Sequence, residues 1–252
     1  MSDRAEQTLI AGRLAAVRMR IAEACRNAGR DPATVRLLPV SKTVSAERLR
    51  HAIAAGVTEL GENKVQEARG KAEALAGLPV RWSVIGHLQT NKAKHVARIA
   101  HEFQALDSLR VAEALDQRLQ IEGRSIDVFV QVNSSGEASK FGLPPDEVRG
   151  FVRALPGFSS LKVRGLMTLA LFSSDPDRVG PCFRRMREVQ EWLRQDGPSA
   201  CSFDALSMGM SGDYELAIAE GATVVRVGQA IFGSRPLPDS HYWPGETSAE
   251  AA

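Results

Sequence analysis

The chain has 252 residues, of which 44% are hydrophobic and 25% are charged, and its formal net charge at pH 7 is +2. This composition is typical of a globular protein with a large apolar core. A charge so close to zero argues against the strong field that attracts nucleic acids or anionic membranes, and no apolar run approaches the ~18 residues of a membrane-spanning helix. Three scattered cysteines, Cys25, Cys182 and Cys201, favour free thiols in a reducing cytoplasm. We therefore expect a cytoplasmic protein without nucleic-acid or membrane partners.

The first predicted element is an amphipathic helix near the start of the chain. Its apolar residues recur at steps of three and four, which places them on one helical face; they are Ile10, Leu14, Val17, Ile21 and Cys25. Gly29 and Pro32 then end the helix.

Eight short apolar runs follow, each before a longer helical pattern. The runs cover residues 35–40, 58–60, 82–85, 102–106, 126–132, 161–167, 203–206 and 223–227. Strands that alternate with helices predict a parallel sheet, and eight such units in about 250 residues favour closure into a barrel. We expect an α/β protein with a single (β/α)8 TIM-type barrel and an additional N-terminal helix. The barrel would span residues 1–235, and a loose C-terminal tail would span residues 236–252.

Two of the intervening helices carry predicted caps. Ser45 precedes a helix over residues 46–55, and Gly56 follows it as a C-terminal stop. Asn63, with Gln66 three residues later, resembles a capping box.

Two strands near the end of the chain each run into a glycine turn. Residues 205–207 lead into Gly209-Met210-Ser211-Gly212, and residues 223–227 lead into Gly228. Bare backbone N–H groups at the start of a following helix bind phosphate, so the pair of turns predicts a phosphorylated ligand. The hydroxyl of Ser207 or Ser211 could bond that phosphate, although Ser211 could instead only cap the helix that begins at residues 212–213.

Lys42 is the candidate reactive group, because it directly follows the first strand, at the barrel rim where active sites form. A free lysine has a pKa of ~10.4, and burial lowers that pKa and makes the amine a nucleophile toward aldehydes. A Schiff-base lysine beside a phosphate site suits an aldehyde phosphate such as pyridoxal 5'-phosphate (PLP). The alternative is a solvated lysine that pairs with Glu62.

Arg226 stands between two valines in the last apolar strand, so its charge is predicted to lie inside the barrel or at its rim. A buried guanidinium needs an acceptor. A cofactor ring nitrogen or a phosphate would serve, and the alternative is a salt bridge to a barrel carboxylate such as Glu62.

The remaining rim residues each have two interpretations. Asn63 and Asn133 either orient a ligand or, for Asn63, only cap a helix. His87 is either a proton carrier or a structural histidine, and Met167 belongs to the core unless a cofactor ring stacks on it. The histidines and cysteines show no metal-ligand spacing, so no metal is expected.

Seven motifs together resemble the pyridoxal phosphate homeostasis proteins, a family similar to the N-terminal barrel of alanine racemases. The motifs are PVSKT (39–43), GENKVQE (61–67), IGHLQTNK (85–92), QVNSSGEASKFG (131–142), GLMTL (165–169), LSMGMSGDYELAI (206–218) and VRVGQAIFG (225–233). The resemblance implies a barrel that holds PLP as an internal aldimine on Lys42. The implied cofactor-binding residues are Lys42, Asn63, His87, Met167, Ser207, Ser211, Arg226 and Gly228, with Arg226 near the pyridine nitrogen or the phosphate.

The resemblance also implies a function in PLP homeostasis, as storage, delivery or buffering of the cofactor without catalytic turnover. Its implied partners are PLP and apo forms of PLP-dependent enzymes, and we expect a monomer. The alternative is a PLP-dependent amino-acid racemase, which needs a second base opposite Lys42. Tyr214 lies in a predicted helix and Tyr242 in the tail, so neither is a convincing second base. A Schiff-base aldolase would share the lysine and phosphate sites but explains the motifs less well.

Overall fold

Eight parallel strands form one sheet in the computed structural model, which describes residues 3–234. The strands are β1 (Arg36–Pro39), β2 (Glu59–Glu62), β3 (Arg81–Val84), β4 (Ala100–Leu106), β5 (Ile126–Gln131), β6 (Leu161–Met167), β7 (Ala205–Ser207) and β8 (Val224–Val227). They lie in the order β1-β8-β7-β6-β5-β4-β3-β2. A parallel bridge between Val40 and Gly61 joins the end of β1 to β2 and closes the barrel. The predicted TIM-type fold is thereby confirmed.

Helices cover the outside of the barrel, as the alternating sequence pattern predicts. They are α1 (Asp3–Asn27), α2 (Ala46–Ala54), α3 (Val65–Ala74), α4 (Ala93–Ile99), α5 (Leu109–Ile121), α6 (Val148–Ala154), α7 (Pro176–Asp196), α8 (Tyr214–Ala219) and α9 (Gln229–Phe232). Strands that are covered on both faces are buried along most of their length, and six of the seven residues of β4 are fully buried.

The additional N-terminal helix, α1, buries the face that its spacing predicts. Its five buried residues are Ile10, Leu14, Val17, Ile21 and Cys25, and the helix packs against α2, α8 and α9. The side chain of Ser45 caps α2 by accepting a hydrogen bond from the N–H of Arg48, and Gly56 follows with a φ of +89°. Both predicted ends of α2 are therefore confirmed to within one residue.

The capping box predicted at Asn63 is wrong. Helix α3 begins at Val65 after Lys64, and no side chain caps its N-terminus. Asn63 instead lies in the turn directly after β2, where its backbone packs against Gly86 of the next rim turn. That close backbone approach fixes the turn without a side-chain cap.

The seventh strand is displaced from its prediction. The apolar run predicts an extended segment over residues 203–206, but β7 spans Ala205–Ser207. The carbonyl of Phe203 accepts a hydrogen bond from the side chain of Gln190 on α7 (2.7 Å), so it does not join a ladder. Ser207 ends the strand, as the placement of residues 205–207 before the glycine turn predicts.

The described part of the chain also bears on the other expectations from composition. Among residues 3–234, no helix combines the length and hydropathy that a membrane crossing requires. All three cysteines are free thiols, and no described group of three histidine, cysteine or acidic residues is arranged to hold a metal ion. The tail predicted over residues 236–252, with Tyr242, lies outside the described residues.

Candidate functional site

The predicted site residues lie at or just beyond the carboxyl ends of their strands. Lys42 follows β1, Asn63 follows β2 and His87 follows β3, while Met167 and Ser207 end β6 and β7. Ser211, Arg226 and Gly228 belong to the last two strand–turn units, which complete the same rim. Because parallel strands place their carboxyl ends at one mouth of the barrel, the fold gathers these residues there.

Lys42 and the Gly228 turn line the same small cavity. The cavity, of ≈ 40 Å³, is also lined by Thr43 and Gln229. It is far smaller than the ~300–1,000 Å³ of typical small-molecule pockets, so it accommodates only one end of a ligand. Gly228 approaches β1 so closely that an added Cβ would lie 2.9 Å from the carbonyl oxygen of Val40. Glycine at this position therefore keeps the two strand ends together.

A larger cavity, of ≈ 400 Å³, lies at the opposite end of β6 and β7. Its lining includes Leu161, Lys162, Cys201 and Ser202 and none of the predicted site residues. The cavity has no connection with the chemistry proposed from the sequence, so the mouth remains the candidate site.

Glu62 has a lysine partner other than Lys42. Its carboxylate Oε1 accepts hydrogen bonds from Nζ of Lys71 (2.6 Å) and from Oγ of Ser41 (2.5 Å). Burial raises the pKa of Glu62 to about 7, although Lys71 opposes the shift. The suggested pairing of Lys42 with Glu62 is therefore replaced by a Glu62–Lys71 pair behind the rim.

Arg226 lies inside the barrel, 3% exposed, where its guanidinium donates to neutral acceptors. Nη1 donates to Oγ of Ser207 and Nη2 to the carbonyl oxygen of Thr168, each at 2.7 Å. No carboxylate of residues 3–234 forms an ion pair with it, so the alternative of a salt bridge to Glu62 is wrong. Burial lowers the pKa of Arg226 to about 10, and the charge of Asp213 partly offsets that effect. Arg226 is thus a buried cation that has no carboxylate within ion-pair distance among residues 3–234.

A chain of hydrogen bonds connects Arg226 with the opposite end of the barrel. Ser207 Oγ donates to Oε1 of Gln104 (2.6 Å), whose Nε2 donates to Oε1 of Glu102 (2.7 Å). The other oxygen of Glu102 accepts from Nη2 of Arg36 at the start of β1 (2.7 Å). Each buried polar group in this chain has a partner, which is the condition under which such groups are tolerated in a core.

Sequence reasoning missed Glu102 and Gln104, although β4 carries a signal for them. The two residues are separated by one position in a strand whose other residues are apolar except for His101, so their side chains lie on one face. Two polar side chains on a buried face predict a polar interior for the barrel.

Ser211 does not cap the helix that follows it. Helix α8 begins at Tyr214 after Asp213, and no side chain caps its N-terminus. The turn is instead held by Asp213, whose Oδ1 accepts from the N–H of Met210 (2.5 Å). Gly209 has a φ of +92°, a conformation that favours glycine. The half-buried hydroxyl of Ser211 makes no hydrogen bond within residues 3–234.

Three further predicted site residues differ in their exposure to solvent. Met167 is completely buried, as a core methionine would be. His87 is partly exposed; its ring stacks on Phe141 with centroids 4.2 Å apart, and its Nδ1 lies 3.8 Å from Oδ2 of Asp107. Asn63 is half-buried at the rim.

Asn133 organises its own loop. Its Nδ2 donates to the carbonyl oxygen of Glu137 (2.8 Å), and its Oδ1 accepts from the N–H of Gly136 (3.1 Å). The amide is thus used within residues 133–137, which favours a structural role for Asn133 over ligand orientation.

A barrel with a lysine after β1 and glycine turns after β7 and β8 is of the alanine racemase N-terminal type. The family model described as "Alanine racemase, N-terminal domain" matches residues 13–236. A protein of Pseudomonas aeruginosa named pyridoxal phosphate homeostasis protein is 42% identical over 226 residues, 90% of this chain and 96% of the relative. The chain belongs to the pyridoxal phosphate homeostasis protein family.

Two solved structures extend the comparison. PipY of Synechococcus elongatus, solved with PLP bound, superposes with a TM-score of 0.79 at 36% identity, over 89% of this chain and 100% of that chain. Alanine racemase from Streptomyces coelicolor superposes with a TM-score of 0.70 at 19% identity, over 91% of this chain and 59% of that chain. The second likeness shows a shared barrel fold.

Proposed function

We propose that this protein binds PLP at the barrel mouth, through a Schiff base on Lys42, and stores, delivers or buffers it. The observation that carries the proposal is the convergence of Lys42 and the Gly228 turn on one cavity. Its lining includes Lys42, which carries an amine, and Gly228, which precedes α9. The name of the relatives and the PLP bound to PipY support the same ligand.

The residues present fit such a ligand in charge as well as in place. PLP carries an anionic phosphate and a pyridine nitrogen, and Arg226 is a buried cation whose partners are neutral oxygens. PLP would supply an aldehyde, and the amine of Lys42 would hold it as a Schiff base with the loss of one water. Lys42 is half-buried at the mouth.

The two serines of the glycine turn are suited to different tasks. A phosphate oxygen accepts hydrogen bonds, so a serine that binds it must donate its proton. The proton of Ser207 goes to Gln104, whereas Ser211 has no such commitment among the described residues. We propose that Ser211 supplies the phosphate contact and that Ser207 orients Arg226.

Binding and carrying the cofactor without catalytic turnover suits this site better than racemase activity does. A racemase needs a second base, and Tyr214 is a poor one. Its side chain is buried and lies beneath the guanidinium of Arg20 on α1, 5.6 Å from its ring centroid. Burial also raises the pKa of Tyr214, which keeps the phenol protonated. We further propose a cytoplasmic monomer whose recipients are apo forms of PLP-dependent enzymes.

Trapping of the bound cofactor tests this proposal. Borohydride reduction of the protein with PLP is expected to leave one covalent adduct, and peptide mass spectrometry is expected to place it on Lys42. The Lys42→Ala variant should lose the adduct, while Lys64→Ala, which removes an exposed lysine after β2, should keep it. A folded wild type without an adduct at Lys42 would refute the proposal. Steady racemisation of alanine above the rate of free PLP would replace carriage with catalysis.

A further inference from the structure

Lys42 lies in a turn whose backbone is strained. The next residue, Thr43, has a φ of +67°, and it is the one non-glycine residue with positive φ among residues 3–234. A β-branched side chain disfavours this left-handed conformation. Such a conformation persists only when surrounding contacts hold it.

The residue before Lys42 is held by two charged side chains. Ser41 is completely buried; its Oγ donates to Oε1 of Glu62 (2.5 Å), and its carbonyl oxygen accepts from Nζ of Lys71 (2.6 Å). Its N–H also donates to the carbonyl oxygen of Gly61 (2.9 Å). Ser41 therefore has little freedom to move.

The residue after Lys42 is held by the same group of charges. The N–H of Thr43 donates to Oε1 of Glu67 (2.6 Å), and Nζ of Lys71 donates to that oxygen as well (2.6 Å). Since Lys71 also bonds Glu62, the three charged residues form one connected cluster on β2 and α3, which we call the Glu62–Lys71–Glu67 cluster. The cluster therefore forms hydrogen bonds with the residues on both sides of Lys42, Ser41 and Thr43.

The cluster is costly as a source of stability alone. Glu62 is fully buried, and its Oε2 has no hydrogen-bond partner among the described residues. Removing a charge from water without full compensation is unfavourable, and apolar residues of the same size often stabilise such a position better. The charged side chains instead provide directional hydrogen bonds that fix Ser41 and Thr43 in place.

We propose that Glu62, Lys71 and Glu67 are positioning residues of the Lys42 site, which fix the turn so that the Lys42 amine meets the aldehyde carbon of PLP. The inference rests on the proposed function, because it concerns the reaction of Lys42 with that aldehyde. None of the three side chains takes part in the bond change itself; each acts through the backbone or hydroxyl of a neighbour of Lys42.

The test compares rates of borohydride-trapped adduct formation at Lys42. Glu67→Leu removes the acceptor of the Thr43 N–H and is expected to slow the adduct about tenfold or more, since small misplacements of reacting groups have effects of this size. Glu67→Gln retains an oxygen acceptor and should restore most of the rate. Glu73→Gln, on the exposed face of the same helix, is the matched control and should react like the wild type. Circular dichroism checks that each variant is folded.

A second measurement covers the case in which Glu67→Leu does not fold. The Glu62→Gln variant keeps an oxygen that can accept from Ser41 and Lys71 but cannot titrate. Glu62 is faced by Lys71 and Glu67 of α3 and by Ser41. The wild-type rate should therefore show an inflection near pH 7 that this variant lacks.

The outcomes separate the inference from the proposed function. A wild type that forms no adduct at Lys42 refutes the proposed function. A wild type that forms it, together with a folded Glu67→Leu variant that reacts equally fast, refutes the positioning role alone. Identical pH profiles for the wild type and Glu62→Gln would also refute that role.

Discussion

Glu62 is a carboxyl group whose burial opposes its ionisation. Desolvation is the main cause and raises its pKa from 4.5 to about 7, while Lys71 and Ser41 lower it and Glu67 raises it further. An acid with a raised pKa binds more protons in the folded state than in the unfolded state between these two values. The free energy of unfolding therefore falls as pH rises through this window.

We expect this residue to give the protein a measurable pH dependence. As the pH rises from 4.5 to 7, Glu62 ionises in the unfolded state before it does so in the folded state. This should lower the free energy of unfolding by up to about 3 kcal/mol, at 1.36 kcal/mol for each unit of pKa shift. Urea unfolding at a series of pH values measures the slope. The Glu62→Gln variant should have a shallower slope over the same range, and equal slopes would show that Glu62 is ionised in the folded protein well below pH 7.

At the scale of elements, the sequence predicts what periodicity and turn chemistry control. The buried face of α1 follows from the steps between Ile10 and Cys25, and the barrel follows from eight alternating units. The Glu62–Lys71 pair does not follow, because a lysine is not expected on the buried face of a helix, and only the packing of α3 on β2 brings the two residues together. The positive φ of Thr43 cannot be predicted from the sequence either, since a β-branched residue ordinarily adopts an extended conformation.

The turn after β8 depends on the close approach of Gly228 to β1. A Cβ added there would lie 2.9 Å from the carbonyl oxygen of Val40, so the strand end must shift in a Gly228→Ala variant. We expect that variant to lose about 1–3 kcal/mol of stability, as overpacked sites do, and to bind PLP more weakly because the cavity shared with Lys42 is distorted. Thermal unfolding and equilibrium dialysis measure the two effects.

Gly212 provides the matched control for this turn. It belongs to the neighbouring glycine turn, and an added Cβ there would meet no atom within 4 Å. Gly212→Ala should therefore leave stability nearly unchanged. A Gly228→Ala protein as stable as Gly212→Ala would mean that the end of β8 tolerates displacement.

On the scale of the whole molecule, the barrel interior joins the mouth to the opposite end through polar side chains. One chain of hydrogen bonds runs through Arg226, Ser207, Gln104, Glu102 and Arg36. Each hydrogen bond fixes the direction in which the next side chain donates its proton. The orientation of Arg226 therefore depends on residues as far away as Arg36, at the start of β1. Coupled networks of this kind respond as a unit to the loss of one member.

Gln104 is the central member of that chain, so its removal should have effects at both ends. In a Gln104→Leu variant the hydroxyl of Ser207 loses its acceptor and Glu102 loses a donor. Glu102 Oε1 keeps its hydrogen bond from Oγ of Ser83, so the buried Ser207 hydroxyl is the group left without an acceptor. Such a group costs about 1–3 kcal/mol, which urea unfolding should detect. The Ser207 hydroxyl can then rotate, so it no longer fixes the orientation of Arg226. The affinity for PLP should therefore fall several-fold in equilibrium dialysis. Gln117→Leu, which removes an exposed amide of α5, should alter neither quantity. A Gln104→Leu protein that is destabilised but binds PLP with wild-type affinity would restrict the chain to a purely structural role.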